Sequence, residues 1–127
     1  MKDITLDILE DLLERRTPSL LATQKRLCLP VINRIYKKMR AGIFFSGIKV
    51  HDDCICDGYH RYIASVLAGY QIDQQPGVLA SAYQKISWKD VIFDHDDWDT
   101  FAKIRMLNEQ DAVFNNLTVE EIITMIK

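Results

Sequence analysis

The sequence predicts an α+β domain, and three observations carry that reading. Apolar residues recur at helical spacing in several separate stretches. Two short runs, Ile48–Val50 and Cys54–Asp57, read as strands joined by the polar turn His51-Asp52-Asp53. Between the second run and a well-specified helix stands Gly58, a residue that lets backbone turn sharply from strand to helix.

The elements follow in chain order. Thr5 or Asp7 can cap a first helix that presents Leu6, Leu9, Leu12 and Leu13, and Thr17-Pro18 ends it. Residues 19–29 are ambiguous, with Leu20, Leu21, Leu27 and Leu29 able to line a second short helix. Pro30 suits a first helical position, Val31, Ile32, Ile35, Tyr36 and Met39 form one stripe, and Gly42 is the expected stop. The opposite face carries Arg34, Lys37, Lys38 and Arg40. It is a solvated face or, alternatively, a basic patch near an anion site.

After Gly58, Tyr62, Ile63, Val66 and Leu67 make the buried side of a helix that Gly69 ends. Residues 73–77 read as a loop and Val78–Tyr83 as a third strand. Ser87-x-x-Asp90 resembles a helix start before Trp88, Val91, Ile92 and Phe93. The stretch from Asp94 to Thr100 is acidic and exposed apart from Trp98. Phe101, Ile104, Met106 and Leu107 point to another helix, Asn115-Asn116 to a turn, and Thr118-x-x-Glu121 to a capping box opening a last helix.

One domain is the natural organisation of 127 residues, a length that buries a core without disulfides. The first ten residues carry Asp3, Asp7 and Glu10 in place of a basic and then apolar leader. Cys28, Cys54 and Cys56 do not form a disulfide framework, and a reducing cytoplasmic setting is expected. Charge is unevenly spread. Residues 1–50 hold ten Lys/Arg against five Asp/Glu, whereas residues 90–127 hold three against nine. An acidic end repels nucleic acid and attracts a basic protein.

The chemistry concentrates in Asp57-Gly58-Tyr59-His60-Arg61. The first amides of a helix point outward unpaired, with the positive end of the helix dipole behind them, and this suits an anion. Arg61 adds a planar cationic fork, His60 a second donor, and Asp57 a carboxylate able to hold either. The same Asp57–Arg61 pair serves equally well as a brace of the junction. His51, Cys54, Cys56 and His60 match no strong zinc spacing, so no metal is expected there.

The pentad, followed by Tyr62 and Ala64 and preceded by Gly42, Gly47-Ile48 and Val50, resembles the central box of the ParB/sulfiredoxin superfamily. The resemblance runs from about Leu29 to Tyr83, taken as a core over 29–83 with an acidic helical extension over 84–127. It implies a small mixed sheet packed by helices, and a loop over Asp57, Gly58, Tyr59, His60 and Arg61 that contacts the phosphates of ATP or CTP with Mg²⁺. Sulfiredoxins carry a catalytic cysteine where Tyr59 stands, so that activity is not implied. Partition proteins of this type bind DNA through a separate helix-turn-helix domain. Here an acidic segment follows, so sequence-specific DNA binding by this chain alone is not expected.

The expectation is a non-catalytic nucleotide-binding module. An alternative is a protein-binding inhibitor, such as an immunity protein neutralising a basic nuclease toxin through Asp94, Asp96, Asp97 and Asp99. A second alternative is an ATP-dependent phosphotransferase, with Asp57, Glu10 or Glu14 as candidate carboxylates. No membrane partner is expected, because no apolar run nears the ~20 residues needed to span a bilayer.

Overall fold

A computed structural model describes residues 1–127. The chain is α+β, with five α-helices and two small sheets. Helix α1 spans Leu6–Arg15 and is capped by Thr5, whose hydroxyl accepts from the Ile8 amide. Strand β1 (Arg26–Cys28) runs straight into α2 (Leu29–Arg40). Strands β2 (Ile48–His51) and β3 (Cys54–Asp57) form an antiparallel hairpin, turned at Asp52 with φ of 53°. Helix α3 spans Tyr59–Ala68 and ends at Gly69 in the left-handed region. Strand β4 (Gln74–Pro76) then lies parallel to β2, giving the sheet order β3-β2-β4. Strand β5 (Ile92–Asp94) pairs in parallel with β1 as a second sheet. Helices α4 (Phe101–Asn115) and α5 (Val119–Met125) close the chain. No helix is long and apolar enough to cross a membrane.

The main core fills the space between α2, α3 and the strands. Leu9, Leu27, Ile32, Ile48, Ile55 and Ile63 are wholly buried there. Burying one such side chain contributes about 1.5–3 kcal/mol. A second, smaller cluster of Ile43, Ala112 and Ile122 fastens α4 and α5 to the body.

Several expectations are corrected. Val78–Tyr83 is not a strand. Val78 is 90% exposed, and pairing to β2 is taken by the preceding Gln74–Pro76. Pro76 is tolerated because β4 is a sheet edge, where a missing amide breaks no ladder. The optional helix over 19–29 is replaced by isolated bridges at Leu21 and Ala22 and by β1. Ser87 opens only a three-residue 3₁₀ turn, Trp88–Asp90, before the chain becomes β5. Trp88, Val91 and Phe93 thus join the main core, so the segment just after residue 84 belongs to the body rather than to a helical extension. Trp98, expected inside, is 44% exposed.

Of the basic face of α2, Arg40 is exposed and unpaired, whereas the other three residues are engaged within the chain. Arg34 donates to Asp97 and Asp99, Lys37 pairs with Asp3, and the buried Lys38 reaches Asp111 at 2.7 Å. Arg26 likewise pairs with Asp94 across β1 and β5 at 2.5 Å. Three basic residues of the first part, Arg26, Arg34 and Lys38, thus pair with carboxylates of the last third.

Candidate functional site

Gly58 positions everything at the β3–α3 junction. Its φ of 93° and ψ of 34° lie in the left-handed region, which β-carbon sterics penalise in other residues. The space is closed as well. A β-carbon there would lie 2.6 Å from Ile48 Cγ2 and 2.9 Å from Arg61 Nη2. Glycine is thus required both by conformation and by close approach.

The start of α3 differs from other helix starts in the chain. Thr5, Thr100 and Thr118 each cap their helices through a hydroxyl, and Thr118 with Glu121 completes the capping box. Helix α2 carries proline in its first turn. Helix α3 has no side-chain cap and no acidic residue in its first turn. Its opening amides therefore keep their donor capacity and the full positive end of the dipole.

Arg61 is the one basic side chain at this turn. Nη2 donates to the Gly47 carbonyl at 3.2 Å, and lies 3.9 Å from Asp57, too long for a hydrogen bond. Asp57 itself points largely into solvent. Arg61 Nε is buried and has no partner, an orphan donor of the kind that costs about 1–3 kcal/mol if left unmade. The Asp57–Arg61 brace is accordingly weak, and the guanidinium is anchored instead through Gly47. Arg61 also lines a cleft of about 320 Å³ with Arg34, Lys38, Phe44 and Phe114, the last from α4. Mixed apolar walls and a few convergent polar groups at that size are usual for small-ligand sites. Asp99 and Asp111 sit in the same cleft and hold Arg34 and Lys38.

Tyr59 and His60 turn inward. The Tyr59 hydroxyl lies 2.5 Å from Thr23 Oγ1, which in turn donates to the Ile55 carbonyl. His60 Nε2 accepts from the Cys28 amide at 2.9 Å, at the N-cap of α2, and its ring meets Trp98 edge-on at 5.3 Å. The expectation of His60 as a second anion donor is corrected on that geometry. An imidazole accepting at Nε2 is neutral, and only Nδ1 remains to donate. Burial pushes its pKa down to about 4, against a smaller upward pull from Asp99. Tyr59 and His60 thus brace the turn with their side chains, which leaves the backbone amides and Arg61 as the pentad's free donors, and of these residues only Arg61 lines the cleft.

This burial makes His60 a source of acid sensitivity. Above pH 6.5 the ring is neutral whether folded or unfolded, so it adds no pH dependence. Between pH 6.5 and about 4 only the unfolded chain gains a proton there, and stability falls as pH drops. The full loss is at most about 3 kcal/mol at 1.36 kcal/mol per pKa unit. A His60→Gln variant keeps an acceptor for the Cys28 amide without a titrating group. Denaturant melts from pH 7 to pH 4 should show a shallower decline for this variant than for the parent chain. Parallel declines would show that His60 ionises freely in the fold.

The other candidates lie apart. Glu10 and Glu14 line a separate cleft of about 300 Å³ with Leu13 and Trp88, one that Arg61 does not enter. Cys54 is buried, and burial raises its thiol pKa and that of Cys56. Asp94 and Asp97 are engaged by Arg26 and Arg34, and the Arg34 hydrogen bond holds the Asp97 carboxyl below its usual range. Asp99 shares Arg34, whereas the Asp96 side chain has no ion-pair partner within the chain. The segment is further tied down where Trp98 Nε1 donates to Asp94 and the Cys28 thiol donates to the Asp96 carbonyl. Sequence reasoning missed this role of the segment, and the only signal for it was the opposite charge of the two ends. Comparison with family models, with characterised proteins and with solved structures yields no match.

Proposed function

We propose that this chain is a non-catalytic binding module that holds the phosphates of a nucleotide, ATP or CTP with Mg²⁺, at the Gly58–Arg61 turn. The resemblance to the ParB/sulfiredoxin loop supports the choice of ligand. The observation that carries the reading is the uncapped start of α3 beside Arg61, a residue that also lines the cleft. Amides at a helix N-terminus and a guanidinium supply complementary donors to phosphate oxygens. Phe44 and Phe114 give the cleft an apolar wall for a base.

Phosphoryl transfer is a weaker reading, since Glu10 and Glu14 face a different cleft and Asp57 is exposed. A toxin-neutralising role through Asp94, Asp96, Asp97 and Asp99 is also weaker, since three of these four carboxylates already serve Arg26 and Arg34.

Titration calorimetry of the chain with ATP and CTP, each with Mg²⁺, tests the proposal. Heat of binding is expected for one of them, and Arg61→Ala should abolish it. Binding that survives Arg61→Ala, or no heat and no thermal shift with any nucleotide, would overturn the reading.

A further inference from the structure

Helix α4 is apolar on two sides. Ala112, with Ile104 and Leu107 partly covered, faces the body. The opposite side carries the apolar Ala102, Met106 and Val113 with the charged Glu109 among them, all exposed. That is the stripe of a helix with a second helical neighbour. Val113 is 83% exposed and Met106 39%. Nothing in the chain covers this face, and exposed apolar side chains gathered on one helix face mark an interaction surface.

The charges on α4 say what the neighbour is. Its first turn holds no acidic residue and its last turn no basic one. Lys103 and Arg105 stand in the first half, and Glu109 follows in the second, an order opposed to the helix dipole. Neither Arg105 nor Glu109 has an ion-pair partner within the chain. Turned about a two-fold axis and laid antiparallel, the pattern complements itself. Arg105 of one copy meets Glu109 of the other, twice, while Met106 and Val113 close the seam between them. Such a contact is isologous, the commonest way a chain pairs with itself.

We propose that α4 is the homodimer interface, pairing antiparallel with α4 of a second copy. The test is sedimentation of the full chain from about 1 to about 300 μM, the range over which weak homodimers assemble. The parent chain should shift from 14.7 kDa toward twice that mass as concentration rises. Met106→Glu with Val113→Glu should hold it monomeric. Arg105→Glu alone and Glu109→Arg alone should each weaken the dimer about tenfold, since two symmetry-related attractions become repulsions. All four positions are exposed, so the fold persists in these variants, and circular dichroism checks this. An equimolar mixture of the two single-charge variants should pair again, because each cross-contact then joins opposite charges. A parent chain monomeric throughout, a dimer indifferent to Met106→Glu with Val113→Glu, or a mixture that stays monomeric would each overturn the proposal.

Discussion

Gly58→Val should lower the melting temperature by about 10 °C or more, corresponding to about 3 kcal/mol. Two effects add. The left-handed φ of 93° penalises a β-carbon by roughly 1–2 kcal/mol, and a β-branched residue most of all. The new carbon also meets Ile48 Cγ2 at 2.6 Å. Ile48 is wholly buried on β2 and has nowhere to retreat, so overpacking adds roughly 1–3 kcal/mol. Arg61→Ala is the control. It removes one long hydrogen bond to Gly47 and introduces no clash, for a loss of about 1 kcal/mol. Thermal melts of the two variants decide the matter, and equal melting temperatures would show that Gly58 has an ordinary conformation.

Asp111→Ala should destabilise the chain by about 2–3 kcal/mol, far more than a typical surface substitution. Lys38 is buried, 4% exposed, and its ammonium rests 2.7 Å from Asp111. Removing the carboxylate strands a charge out of water, which costs 3–5 kcal/mol in a fully buried pair. The figure is discounted here because the Asp111 side chain keeps about a fifth of its exposure. The same residue anchors α4 against α2. Asn115, one turn on, donates to the Asp111 carbonyl and exchanges two hydrogen bonds with the Phe44 backbone. Pairing Asp111→Ala with Lys38→Met should recover most of the loss, since no buried charge then remains. Chemical denaturation measures both. A single variant within about 0.5 kcal/mol of the parent would mean that Lys38 finds water instead.

These two sites mark the limits of what the sequence discloses. The junction at Gly58 is legible because its signals are local: a short strand, a glycine, a helix stripe and a second glycine, all within sixteen residues. The capping box at Thr118 and Glu121 is legible for the same reason, and both of its hydrogen bonds are formed. The pairing of β1 with β5 is not local. It joins three residues near position 27 to three near position 93, and neither run alternates long enough to declare itself. Val78–Tyr83 misleads because apolar content alone predicts burial, whereas register with β2 selects the polar Gln74–Pro76.

The candidate site divides in the same way. Gly58 and Arg61 stand where their types suggest. Tyr59 and His60 do not act beside them, because Thr23 and the Cys28 amide, more than thirty residues away in sequence, draw them inward. The charge imbalance was visible as a number but not as a set of pairs. Arg34 with Asp97 and Lys38 with Asp111 are separated by 63 and 73 residues. Only the fold shows which carboxylates of the acidic segment Arg26, Arg34 and Lys38 engage.

The central claim is that a nucleotide phosphate sits on the opening amides of α3. Amide spectra of isotopically labelled protein, recorded as ATP or CTP with Mg²⁺ is added, test it most directly. The account predicts saturable shifts at the amides of Tyr59, His60 and Arg61, with Phe44 following and with Glu14 and Lys89 on the other cleft unmoved. Spectra in which these three amides stay still at saturating nucleotide, or in which only the other cleft responds, would contradict it.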